Sequence, residues 1–119
     1  MPVRSSNSSV LKWPDKEAVV SSLLKWIEEV KQNRDDILKI GYFGSYARGD
    51  WGVGSDLDVI FVLKGSDVSF FKRSLNWDTD EIPVPVDLLV YTEEEYEEMK
   101  KANSKFYKEL EKEAVWIYP

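Results

Sequence analysis

The segment Leu57-Asp58-Val59-Ile60-Phe61-Val62-Leu63 constrains the fold more than any other part of the chain. An apolar, β-branched run of this kind reads as a central strand, which other elements must cover. Two further runs share its character: Ile37 to Phe43, stopped by Gly44, and Val84 to Tyr91. Pro85 in the latter points to an edge position or an unpaired N–H. Around these strands the periodicity turns helical. Val19, Val20, Leu23, Leu24, Ile27 and Val30 recur at helical spacing from Asp15, a candidate N-cap, to about Asn33. Thr92-Glu93-Glu94-Glu95 reads as a capping box opening a long helix to about Lys112, with Tyr96, Met99, Phe106 and Leu110 facing the core. A short helix from Ser45 to about Asp50, a helix from Asp67 to about Leu75 burying Phe70, Phe71 and Leu75, and a short last strand Val115 to Tyr118 complete the pattern. Helices interleaved with strands predict an α/β (α+β) fold, a small mixed β-sheet with helices packed on it.

A chain of 119 residues has room for one core and little for a separate substrate-recognition domain. Residues 1–12, Ser-rich and without an apolar h-region, read as a flexible tail and not a signal peptide, which leaves 13–119 as one domain. No apolar stretch approaches the roughly 20 residues of a membrane span, so the expectation is a cytoplasmic protein with no membrane partner. With 16 Lys and Arg against 22 Asp and Glu, the net charge of −6 argues against binding along an extended nucleic acid. The absences cut deeper, because the chain has no Cys and no His. Disulfides, thiolate nucleophiles, zinc–thiolate sites and an imidazole base are excluded. Catalysis must run on carboxylates, hydroxyls, Lys, Arg and backbone amides, and a metal must be a hard cation on oxygen, Mg²⁺ or Mn²⁺.

The chemistry concentrates between Gly44 and Asp58. On a strand, Asp56 and Asp58 point to one face with Cα atoms about 6.7 Å apart. Two short carboxylates at that spacing can lean around cations ~3.5–4 Å apart, the separation of two-metal sites. Without a cation, two like charges side by side would destabilise the fold. Asp87 interrupts the otherwise apolar Val84 to Val90 run, where a charge is costly unless paired or coordinated. If that strand lies beside Leu57 to Leu63, Asp87 reaches the same metals and can take the proton of an attacking hydroxyl. Gly44 permits a turn and close approach of a ligand. Ser45 opens the short helix whose N–H groups suit a phosphate, and Arg48, one turn on, can add charge-assisted bonds to a polyphosphate. An anion cradle, two metals and a base describe in-line transfer of a phosphorus group from a nucleoside triphosphate.

Gly44-Ser45-Tyr46-Ala47-Arg48-Gly49, followed by Ser55-Asp56-Leu57-Asp58 and a later lone Asp in a strand, resembles the DNA polymerase β-like nucleotidyltransferase superfamily. Within it the chain is most similar to the minimal nucleotidyltransferase (MNT) branch, over about Ile37 to Tyr91. The resemblance implies that Asp56 and Asp58 bind both metals, that Asp87 is the third carboxylate, and that Gly44 and Ser45 hold the triphosphate with Arg48 assisting. It also implies a helical HEPN-type partner: many MNT proteins resemble antitoxins, and some transfer AMP from ATP to a tyrosine of that partner. The leading expectation is therefore a Mg²⁺-dependent transferase moving NMP, AMP from ATP, to a hydroxyl on a partner protein. The alternative is a non-catalytic nucleotide-binding module that acts as an antitoxin by covering a HEPN-type partner.

Plainer readings stand beside these. Ser45 is also an ordinary N-cap, Arg48 can pair with Asp50 or a nearby acid, and Asp87 can pair with Arg48 or a Lys. Trp51 can stack on a base, but packing against the short helix is the simpler reading. Lys39 and Gly41 read as an edge charge and a packing concession, Trp77 and Trp116 as core or interface residues, and Glu93 to Glu98 as a solvated face.

Overall fold

Asp15 caps the first helix as its sequence position suggests. In the computed structural model, which describes residues 13–119, its side chain accepts the Ala18 N–H at 2.8 Å and opens α1 (Lys16–Asn33). The expectation for residues 1–12 lies outside the described residues. The buried stripe of α1 is Val19, Leu23, Trp26 and Ile27, while Leu24 turns outward at 43% exposure. Four strands follow, β1 (Ile37–Phe43), β2 (Leu57–Leu63), β3 (Val86–Thr92) and β4 (Val115–Tyr118), in the spatial order β3-β2-β1-β4. The β1/β2 and β1/β4 pairs are antiparallel and the β2/β3 pair is parallel, so the sheet is small and mixed as expected. No helix among the described residues is long and apolar enough to cross a membrane.

Alternation along β2 divides the core between two layers of helix. Leu57, Val59, Phe61 and Leu63 pack with the α1 stripe and with Leu88 and Val90 of β3. Ile60 and Val62 pack on the other face with Tyr96 and Leu110. These come from α4 (Glu93–Ala102) and α5 (Lys105–Glu113), which follow the two short helices α2 (Ser45–Arg48) and α3 (Phe70–Arg73) in chain order. Every apolar side chain of β2 is buried, which is what a continuous apolar run requires.

Several boundaries differ from the sequence expectation. The single helix from Glu93 to Lys112 is two helices. Its capping box forms, Thr92 Oγ1 accepting the Glu95 N–H at 3.2 Å and Glu95 accepting the Thr92 N–H at 2.9 Å. The helix then ends at Asn103, whose left-handed φ of 51° breaks it, and Ser104 caps the next by accepting the Tyr107 N–H at 3.1 Å. β3 begins at Val86 and not Val84; the Pro85 carbonyl accepts the Leu57 N–H at 2.9 Å, and β3 is an edge strand, as its proline suggested. The expected helix over Asp67–Leu75 shrinks to α3 and a 3₁₀ turn at Ser74–Asn76, leaving Phe71 and Leu75 86% and 78% exposed.

Arg73 anchors the shortened helix. Its buried guanidinium donates to the carbonyls of Val68 at 2.7 Å and Val90 at 2.9 Å and forms a two-pronged pair with Glu95 at 2.6 and 3.1 Å. One side chain thus ties α3 to β3 and α4, and holds the Glu95 carboxyl below the usual carboxylate range. Arg73→Leu strands the Val90 carbonyl and half-exposed Glu95, and is expected to destabilise the fold by about 2–4 kcal/mol in urea denaturation.

β1 is an interior strand, so Lys39 is not an edge charge. Its ammonium sits 4.3 Å from the Trp116 ring centre and 5.4 Å from that of Tyr96. Gly41 is the packing concession expected: a Cβ there would come within 2.7 Å of the Trp116 ring and 2.9 Å of the Val115 carbonyl. Trp77 packs on Phe61 with ring centres 4.7 Å apart, a core role.

Candidate active site

Two strand pairings meet at the start of β2. In the antiparallel pair Phe43 lies opposite Asp58, so the chain leaving β1 delivers Gly44 beside that acid. In the parallel pair Asp58 lies opposite Asp87. Asp58 and Asp87 share the sheet face that carries Ile60, Val62 and Tyr91 under α4 and α5, since residues two apart on a strand point the same way. Asp58 therefore lies between Gly44 on one side and Asp87 on the other.

Gly44 is fitted to this position. It adopts φ 75°, ψ −152°, and a Cβ built on it would overlap Oδ2 of Asp58. No other residue would let the turn lie against the carboxylate. The chain then enters α2, which is too short and too strained at its entry to follow the expectation in full. Gly44, not Ser45, occupies the N-cap, no side chain caps the helix, and it ends at Arg48 instead of Asp50. Ser45 is its first residue, half-buried directly after the Gly44 turn. Tyr46 anchors the helix in the core: it is fully buried, its hydroxyl accepts the Trp13 indole N–H at 3.1 Å, and Trp51 stacks on its ring at 5.5 Å. Trp51 thus takes the packing role.

The acids are less symmetric than their spacing suggested. Pairing of β2 starts at Leu57, so Asp56 precedes the strand and does not alternate with Asp58 upon it. Asp56 and Asp87 are exposed and Asp58 is half-buried. Burial pushes the Asp58 carboxyl up to about 6, and the negative charges of Asp87 and Asp56 push the same way. No ion pair involves Asp87 among the described residues, so the structural alternative of a Lys or Arg48 partner is not realised there. Neither does any set of three acids among those residues converge closely enough to clasp a cation as it stands. The charges of Asp87 and Asp56 bear on Asp58 and Arg48 offsets part of them, and a divalent cation held here would relieve the remaining repulsion. In a chain with no His and no Cys, this all-oxygen set fits Mg²⁺ or Mn²⁺.

Arg48 is engaged by acids. Its Nε donates to Asp50 at 3.1 Å, and Nη1 lies 3.2 Å from Oε2 of Glu113. Glu113 is the residue that sequence reasoning missed: its Oε1 also accepts the Gly44 N–H at 3.2 Å, linking the end of α5 to the turn. The one local signal is its place as the last residue of α5, an end that disfavours a negative charge; its partners lie too far along the chain to be read locally.

A model of the nucleotidyltransferase domain matches residues 23–117. The chain belongs to that family. This nucleotidyltransferase domain is similar in structure to a Sulfolobus solfataricus protein assigned as a nucleotidyltransferase, at 26% identity and a TM-score of 0.59 over 85% of this chain and 80% of that one. It also shares its fold with a toxin–antitoxin structure determined with AMP-PNP, at 14% identity and a TM-score of 0.52 over 88% of this chain and 73% of that one. A search of curated protein sequences finds no match. Family and fold together make the protein a nucleotidyltransferase in general terms.

Proposed function

We propose that this nucleotidyltransferase is divalent-metal dependent and moves a nucleoside monophosphate, AMP from ATP, onto a hydroxyl of a partner protein. The observation that supports this most is the in-register pair Asp58–Asp87 with Gly44 backed against Asp58. In this reading Asp56, Asp58 and Asp87 hold Mg²⁺ or Mn²⁺, which neutralises charge on the phosphates and the acids. Gly44 and Ser45 seat the triphosphate and Arg48 assists. Asp87, exposed and at the strand edge, takes the proton of the incoming hydroxyl. The acceptor oxygen bonds to the α-phosphorus, the bond from that phosphorus to its bridging oxygen breaks, and pyrophosphate leaves.

The MNT resemblance favours a helical HEPN-type partner carrying the acceptor, and the toxin–antitoxin neighbour agrees with it. One observation favours a second reading, a nucleotide-binding module that covers its partner without transfer: Glu113 occupies the Gly44 amide and Arg48. Labelled ATP, Mg²⁺ and the product of an adjacent gene separate the two. Transfer of label that needs the divalent ion and disappears in Asp56→Ala/Asp58→Ala is expected. Transfer persisting in the double variant refutes the catalytic assignment, and tight partner binding without label establishes the module.

A further inference from the structure

We infer that Glu113 is a nucleotide-affinity-determining residue, a carboxylate of the chain itself that occupies the phosphate cradle and must be displaced before a triphosphate can seat. The inference rests on the proposed reading of Gly44 and Arg48 as triphosphate ligands. Both groups are already bound to one anion: Oε1 of Glu113 accepts the Gly44 N–H at 3.2 Å, and its two oxygens lie 3.4 and 3.2 Å from Arg48 Nη1. A phosphate oxygen asks for the same two donors in the same place.

Glu113 is poorly placed for any helix-stabilising purpose. It is the last residue of α5, where the carbonyl end of the helix repels a negative charge. Lys112, beside it, is the charge that end favours. The Glu113 side chain is nonetheless only 21% exposed, drawn in over the turn. Its charge also lies close enough to Asp58 to act on that carboxyl, so it adds to the crowding of acids at the site. Asp50 supplies the internal comparison. It pairs with Arg48 at 3.1 Å, but the acid on the Gly44 amide is Glu113.

The test is calorimetric titration of inorganic triphosphate, and separately of ATP, with and without Mg²⁺, into the full chain and into Glu113→Ala, Glu113→Gln and Asp50→Ala. Glu113→Ala is expected to bind both ligands about five- to tenfold more tightly. Glu113→Gln, which loses the charge but keeps an amide oxygen able to accept the Gly44 N–H, is expected to show part of that gain. The KM for ATP in label transfer should fall with the affinity. A gain in Asp50→Ala equal to that in Glu113→Ala would mean that only release of Arg48 matters, and would overturn the inference. Unchanged or weaker binding by both Glu113 variants, with the parent still binding ATP, overturns it while leaving the proposed function intact. Failure of every protein to bind ATP with Mg²⁺ overturns both. Thermal melts of each variant guard the comparison, and Glu113→Gln serves where the alanine does not fold.

Discussion

Asp58→Asn is expected to stabilise the metal-free protein while removing its transferase activity. In the folded chain the Asp58 carboxyl is pushed from 3.8 up to about 6 by burial and by the charges of Asp87 and Asp56. The native state therefore holds a proton that the unfolded state has released between those two pH values. Stability must fall as pH rises through that window, and above it the whole penalty is present. A shift of this size corresponds to ~3 kcal/mol, which screening at a half-open position reduces to about 1–2 kcal/mol. Asparagine keeps the shape and carries no charge, so the variant's advantage should be absent below pH 4 and full at pH 7. Urea denaturation across that range in EDTA measures it; equal or lower stability of the variant at pH 7 would contradict the electrostatic account. Adding Mg²⁺ should raise the melting temperature of the parent protein and do so far less in Asp58→Asn, in step with loss of label transfer.

Gly44→Ala acts in the opposite direction on the fold and the same direction on activity. The substitution meets two obstacles, a φ of 75° and direct overlap with Oδ2 of Asp58. Relief requires the turn to move away from the acid or the acid to rotate out of the site. The expected cost is about 1–3 kcal/mol of stability. Displacement of the turn by about 1 Å from the acids would lower transfer roughly hundredfold or more. Thermal melts and label transfer on the same preparation check both. A variant that loses stability but keeps its rate would show that Gly44 serves only the backbone.

The sequence was most legible where one physical requirement dominates. A continuous apolar run can only be a covered strand, and β2 is one; Asp15 and the Thr92–Glu95 box cap because few other arrangements satisfy those amides. The neighbourhood of Asp58 and Asp87 was readable for the same reason, since a lone charge in each apolar run has few tolerable positions. Legibility failed where the deciding partner lies far along the chain. Arg73 anchors α3 through Val90 and Glu95, contacts that no local pattern encodes. Trp26 is buried with its indole N–H satisfied by the Asp78 carbonyl at 2.7 Å, 52 positions away. Glu113 meets Gly44 only because the fold closes a separation of 69 positions. The charge pattern from Glu93 to Lys112 suits one helix, and the expectation of an uninterrupted helix missed the break at Asn103–Ser104, two residues that favour turns and caps.

The parallel step between β2 and β3 gives the chain a phase to keep. Side chains on a strand alternate, so sliding β3 by a single position would carry Asp87 through the sheet to the α1 side, away from Asp58 and Gly44. The crossover that joins the two strands is under no such rule and can lengthen or shorten by odd or even numbers of residues. Evolutionary or engineered insertions in this protein should thus be tolerated in the exposed turn between Gly65 and Asp67, yet silence the enzyme when a single residue is added between Val86 and Leu88.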